Sequence, residues 1–290
     1  MSKYIETLKN AAKVKNDEFY TKIEDIDNEL SLYTEELHNK IIYCNCDNPY
    51  KSNFVKYLIN NFNRFNLKKL IATSYNKDGC GLKLEIDKKP IDKDYNSLIE
   101  ELNNNGDFRS DECVSYLKQS DIVITNPPFS LFREYFAQLM KYKKKFIVIG
   151  NINAFTYKDF FPYFKAEQIR VGRAPYLHSM KFFINQNSET KCLGFTRWIT
   201  NFDGKVPKKL SLSKQYYGNE DKYPKYDNYD AISIDKIADI PNDYNELMGV
   251  PVTFCDYFDK NRFQIIDKKN DLLLNGQNKF KRFIIKRKKK

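Results

Sequence analysis

Residues 120–129 read Ser-Asp-Ile-Val-Ile-Thr-Asn-Pro-Pro-Phe, and this stretch restricts the available folds more than any other. Ile122, Val123 and Ile124 make a short β-branched apolar run, the pattern of a strand buried in a parallel sheet. Pro127 and Pro128 end it, because proline donates no ladder hydrogen bond. An amide, two rigid residues and an aromatic ring are thereby fixed at the carboxyl end of a strand. That edge is where open α/β sheets bind ligands.

This set of groups suits a planar exocyclic amine whose lone pair is delocalised into a base ring. The Asn126 side-chain oxygen and the Pro127 carbonyl can each accept one amine N–H. As those bonds strengthen, the nitrogen lone pair localises and can attack an electrophilic methyl group. Such acceptors favour the developing ammonium over the starting amine, so they act on the barrier. Phe129 offers a face for the base to stack on, and the prolines hold the geometry rigid. The bland alternative is a strand, a Pro-Pro turn and a core phenylalanine.

Asn126-Pro127-Pro128-Phe129 matches the amine-methylating motif of S-adenosylmethionine-dependent amino-methyltransferases. With Asn16–Thr21, Tyr43–Pro49, Lys68–Thr73 and Met248–Pro251, the chain resembles the EcoRI-type adenine-specific DNA methyltransferases. The resemblance implies an α/β fold: a Rossmann-like class I methyltransferase sheet with helices on both faces, plus a smaller C-terminal target-recognition region. It implies an S-adenosylmethionine-binding catalytic domain over residues 1–185 and a DNA-binding region over 186–290. It implies transfer of a methyl group to the N6 amine of a flipped adenine in double-stranded DNA, by a restriction-modification or orphan methylase. A cognate restriction endonuclease, where one exists, would act on the same site without a stable complex.

Site residues follow from the same resemblance. Asn126, Pro127, Pro128 and Phe129 would be catalytic, with Asn126 also reaching the cofactor. Phe19, Tyr20 and Thr21 would lie against its methionine part and Asp47 at its amino-acid end, with Pro49 and Ser52 also binding the cofactor. Asp107 would take the cofactor's adenine amine and Phe108 its face. Many relatives hold the ribose with an acidic residue after the second strand; here Ser74-Tyr75-Asn76 follows, so Tyr75 would substitute. The turn after the first strand also lacks the usual glycines.

Read in order, residues 1–38 form mostly helix, with Thr21 and Glu24 as a capping box. Ile41–Cys44 is the first central strand, Ser52 starts a helix, and Leu70–Thr73 is the second strand. Leu82, Leu84 and Ile86 alternate like a hairpin strand, and Gly106-Asp107-Phe108 precedes a helix. Leu131–Met140 is helical with Leu131, Tyr135 and Leu139 on one face, followed by a strand at Phe146–Gly150. Further α/β units run to a late strand at Lys181–Ile184, and Cys192–Ile199 reads as another strand. Tyr216, Tyr217, Tyr223, Tyr226 and Tyr229 are interleaved with lysines, as on a surface meeting phosphates and bases, or as buried tyrosines in a charged excursion. Residues 279–290 carry eight basic residues and no acid, the composition of either a nucleic-acid-binding arm or a passive end.

The net charge of +11 points to a polyanionic partner, although abundant Lys and Asn also fit an AT-rich coding sequence. Hydrophobic residues at 41% and aromatics at 15% support a packed core rather than disorder. The six cysteines form no C-x-x-C pair, and two histidines are too few for a usual zinc site, so no metal is expected. Free thiols, no apolar signal region and no run near the ~20 residues of a membrane span give the expectation of a cytoplasmic protein without membrane contact. Two other functions remain open at this level: an RNA-base or protein-glutamine methyltransferase on the same fold, and a nucleic-acid-binding module with a decayed cofactor pocket.

Overall fold

The computed structural model describes residues 20–88, 95–174, 181–183, 190–192, 195–204 and 209–288. The chain divides into two compact units, Met1–Asn151 with Leu177–Phe202, and Ile152–Tyr176 with Asp203–Lys290. Among the described residues no helix is long and apolar enough to cross a membrane.

In the first unit, β2 (Ile41–Cys44), β3 (Lys69–Ser74), β6 (Ile122–Thr125) and β7 (Lys145–Asn151) lie parallel in the order β3-β2-β6-β7. Their residues are buried almost throughout, as β-branched runs covered on both faces must be. Antiparallel strands extend the sheet: β4 (Leu82–Ile86) and β5 (Ile99–Glu101) beyond β3, and β10 (Thr196–Thr200) beyond β7. Helices α2 (Asn53–Asn60), α3 (Asp111–Gln119) and α4 (Phe132–Lys141) flank it, each burying apolar residues at helical spacing. Strand order reverses between β2 and β6, so their carboxyl ends frame a crevice.

Several expectations change. Lys181–Ile184 does not extend the main sheet: β8 (Lys181–Phe183) pairs with β1 (Tyr20–Thr21) and β9 (Thr190–Cys192) in a separate three-stranded sheet. Of the described residues between 192 and 199, Cys192 ends β9, whereas Thr196–Ile199 belong to a different strand, β10. Thr21 forms no capping box with Glu24, because it is held extended opposite Phe182; α1 (Ile23–Leu30) has Lys22 as an N-cap without a side-chain bond. Residues 1–19, expected to be helical, lie outside the described residues.

The units also differ from a cut at residue 185. Strand β10 lies beyond that cut yet pairs with β7 in register, Trp198 opposite Ile149. Residues 152–176 join the second unit through phenylalanines: Phe164 meets Phe258 at 5.5 Å and Phe283 at 5.3 Å between ring centroids. Phe161 stacks on Phe283 at 6.2 Å.

The second unit is built on a five-stranded sheet, in the order β11 (Lys225–Tyr226), β12 (Tyr229–Ser233), β13 (Met248–Pro251), β17 (Arg282–Arg287), β14 (Phe263–Lys269). The hairpin β15 (Leu272–Leu274) and β16 (Gln277–Lys279) turns at Asn275-Gly276, both at positive φ, as a two-residue hairpin link prefers. The C-terminal segment is therefore no loose arm. Phe283, Ile284 and Ile285 are 0% exposed in an inner strand, and four of the segment's cations are paired: Lys279 and Arg282 with Asp235, Lys286 with Glu246, Lys288 with Glu167. The tyrosines follow their second reading in part. Tyr223 and Tyr226 are buried, Tyr226 donating to the Gly249 carbonyl at 3.3 Å, whereas Tyr217 stays exposed.

Because Ile285 sits between two partner strands without solvent contact, Ile285→Ala is expected to destabilise the second unit by about 2–5 kcal/mol. Urea unfolding measures this directly, and a loss below ~1 kcal/mol would contradict the inner-strand placement.

Candidate active site

Beyond Cys44 the chain leaves β2 through Asn45, Cys46 and Asp47 and enters the turn before α2. Ser52 is the N-cap of that helix, its oxygen accepting from the N–H of Phe54 at 3.1 Å and of Val55 at 3.5 Å. The same hydroxyl donates to Asp47 Oδ1 at 2.6 Å. Asp47 Oδ2 accepts from Thr125 Oγ1 at 2.5 Å, and the Asp47 N–H donates to the Thr73 carbonyl at 3.0 Å. One residue, only 6% exposed, thus links the carboxyl ends of β2, β3 and β6. Hydrogen bonds to a buried carboxylate are the strong kind, and here they set the turn without glycine.

A second buried bond braces the adjoining wall. The Tyr135 hydroxyl, on α4, donates to Asn45 Oδ1 at 2.5 Å. Burial pushes the Tyr135 phenol well above its ordinary pKa, so it remains a donor. This orients Asn45 with Nδ2 buried and without a partner. The Tyr135 ring meets Phe108 edge-on at 5.3 Å, and Gln138 Nε2 donates to the Phe108 carbonyl at 2.9 Å.

The loop at 104–110 closes over the end of β3. Gly106 has φ +75°, and a Cβ there would lie 2.1 Å from the Ser74 carbonyl oxygen, so only glycine permits this approach. Next to it, Arg109 grips Asp107 in a fork, Nε to Oδ1 at 2.9 Å and Nη2 to Oδ2 at 2.7 Å. That guanidinium holds the Asp107 carboxyl below the usual carboxylate range, keeping it ionised at neutral pH. Arg109 also reaches Glu134 at 2.7 Å and lies 5.2 Å from the centroid of the Phe108 ring.

These elements enclose a cavity of about 340 Å³ within the first unit, large enough for a nucleoside-sized ligand. Thr21, Asp47, Ser52, Tyr75, Asp107, Phe108, Asn126 and Pro128 line it, as do Asn45, Cys46, Asn53, Gly106 and Arg109. Thr21 is 2% exposed and its hydroxyl has no hydrogen-bond partner, while its carbonyl accepts from Asn53 Nδ2 at 2.7 Å. Burial and the Asp47 carboxylate push the Cys46 thiol well up, so it is no nucleophile here. Among the described residues no cluster of three or more His, Cys, Asp or Glu could hold a metal ion.

Some residues singled out in the sequence lie elsewhere. Pro49 does not line the cavity; it is buried, and its carbonyl accepts from the Tyr95 hydroxyl at 3.2 Å. Pro127 is buried and Phe129 half-buried, both outside the lining. Tyr20 is fixed by its pairing with Phe183, and Phe19 falls outside the described residues. Sequence reading missed Asn45, Asn53 and Arg109. Only Arg109 carried a signal, as a cation two residues from an acid at a helix entry.

Comparison with known proteins agrees with this geometry. Residues 7–290 match the family model described as adenine-specific methyltransferase EcoRI. The chain is 43% identical to the Type II methyltransferase M.EcoRI of Escherichia coli, over 97% of this chain and 96% of that protein. It is 38% identical to the Type II methyltransferases M.MpnI of Mycoplasma pneumoniae and M.MgeORF184P of Mycoplasma genitalium, over 89% of this chain and 84% of each. No solved structure gives a significant match. The chain belongs to the family of EcoRI-type adenine-specific methyltransferases.

Proposed function

We propose that this adenine-specific DNA methyltransferase uses S-adenosylmethionine held in the 340 Å³ cavity, and methylates N6 of an adenine turned out of duplex DNA. The observation that carries the donor site is the pair of buried, unpartnered polar atoms lining it, Thr21 Oγ1 and Asn45 Nδ2. Burying such atoms is costly unless something bonds them, and a polar ligand would.

The residues present fit the donor. Thr21 and Asn53 would hold its amino-acid part. Asp107 retains lone pairs for the adenine amine beside its Arg109 bonds, and Phe108 supplies an apolar wall. Tyr75, 53% exposed after β3 and lining the cavity, would take the ribose contact made elsewhere by an acidic residue. Asp47 lines the cavity with each carboxylate oxygen accepting one bond, from Ser52 and Thr125, so it shapes the turn and retains lone pairs for the donor's amino-acid end. When bound, S-adenosylmethionine supplies a methyl group made electrophilic by its sulfonium.

The chain's own residues supply the rest. Asn126 follows Thr125 directly and lines the cavity, so its amide would stand beside the bound donor. The first turn after the motif takes the Pro128 carbonyl, through the Leu131 N–H at 3.1 Å, and leaves that of Pro127 outside the helix. Asn126 Oδ1 and the Pro127 carbonyl would accept the two N–H bonds of the target amine and strengthen as it becomes an ammonium. Phe129, outside the donor cavity, would offer its ring to the target base. Extruding that base costs a few kcal/mol, repaid by these contacts. The ammonium product then loses a proton to solvent, so no side-chain base is required.

Adenine specificity of the family argues against a glutamine substrate, and the formed cavity against a decayed one. The Type II names of the relatives support a modification role, with a separate endonuclease reading the same site.

Asn126→Ala is expected to lower methyl transfer by at least ~10²-fold while DNA affinity stays within a few-fold. Tritium transfer from labelled donor measures this, and near-parental transfer would remove the mechanism. Thr21→Val, which keeps shape but loses the hydroxyl, should weaken equilibrium binding of S-adenosylmethionine by roughly ten-fold. Unchanged binding would place the donor elsewhere.

A further inference from the structure

The second unit presents an apolar tip among cations. Between β16 and β17 the chain turns through Phe280 and Lys281, and Phe280 is 72% exposed, more than any other large hydrophobic residue described. A single exposed apolar side chain is ordinary; what marks this one is the set of cations built around it. The turn is firmly built. Lys279 and Arg282 on either side both bond Asp235, at 2.9 and 2.7 Å, and Lys281 is held in the left-handed region at φ +51°.

Two ammonium groups converge beside this tip. Lys281 Nζ approaches Asn153 Oδ1 at 3.4 Å, and Lys268 Nζ donates to the carbonyl of Thr156 in the same short turn. The Thr156 hydroxyl in turn donates to the Asn153 carbonyl at 2.7 Å, tying the two anchors together. Among the described residues neither lysine pairs with a carboxylate. Burial first, and then the neighbouring Lys268 charge, pulls the Lys281 amine below its ordinary pKa. An anion placed between them would relieve that repulsion.

We propose that the 279–282 turn is a DNA-contacting element, with Lys268 and Lys281 on a backbone phosphate and Phe280 set against bases as an apolar wedge. This deepens the proposed function and rests on its reading of duplex DNA as substrate. An aromatic or apolar tip flanked by phosphate-binding cations is the arrangement by which proteins enter a base step. The phosphate contacts fix the position and the ring supplies the stacking.

The test uses the full chain and a fluorescein-labelled mixed-sequence DNA duplex, with affinity read by anisotropy over a salt series. Lys281→Gly removes the ammonium and suits the positive φ, so the turn is retained. It should reduce the slope of log affinity against log salt by about 1. Phe280→Ala should weaken binding about ten-fold with the slope unchanged, and Phe280→Trp should restore it. Binding of S-adenosylmethionine should stay parental in all three. Parental affinity in Phe280→Ala, or a parental slope in Lys281→Gly, overturns the assignment. A parent chain that binds no duplex would instead overturn the substrate reading on which it rests.

Discussion

The Asp47 carboxylate holds the active site together. It accepts from Ser52 at 2.6 Å and from Thr125 at 2.5 Å, while its own amide bonds Thr73. Thr73 and Thr125 stand at the carboxyl ends of β3 and β6, Ser52 caps the helix that follows β2, and Thr125 directly precedes Asn126. The turn that shapes the cavity and the strand that leads into Asn126 therefore share one buried charge. Removing either hydroxyl would leave a lone pair of that carboxylate unmet in the interior, which costs more than the bond itself contributes. This explains how the turn dispenses with glycine: hydrogen bonds fix a backbone path that many related sheets fix with small residues.

Much of this was legible in the sequence where chemistry is local. The β-branched run before Asn126 and the two prolines after it could hardly form anything but a strand that stops, and the structure has Ile122–Thr125 as that strand. Asp47, Ser52, Asp107 and Phe108 were readable for the same reason, each sitting in a turn or at a helix entry. What sequence could not supply were partners distant along the chain. Nothing in Tyr135 announces that its hydroxyl reaches Asn45, ninety residues away in sequence. Thr21 and Glu24 have the spacing of a capping box, yet pairing with Phe182 draws Thr21 into an extended strand. Local propensity lost there to a tertiary contact.

The C-terminal segment shows how charge composition misleads when apolar residues are sparse. Residues 279–290 look like a basic arm, but Phe283-Ile284-Ile285 inside them are enough to build an inner strand. The cations flanking that strand neutralise Asp235, Glu246 and Glu167. Of the formal +11, then, part serves the fold rather than a partner. The cations left over are better guides to nucleic acid than their number in the sequence. The interleaved tyrosines carry the same lesson, since Tyr223 and Tyr226 are core residues whose lysine neighbours only cover the surface.

The link between Asp47 and Asn126, the proposed acceptor for the target amine, is open to a single-turnover measurement. Thr125→Val keeps the shape of the strand end but removes the hydroxyl that joins it to the carboxylate. With enzyme in excess over a methylatable DNA duplex, the rate of the chemical step should fall by about ten-fold or more, while S-adenosylmethionine affinity stays within two-fold or so. A parental single-turnover rate, in a variant whose unfolding midpoint remains above the assay temperature, would contradict the claim that this buried carboxylate positions Asn126.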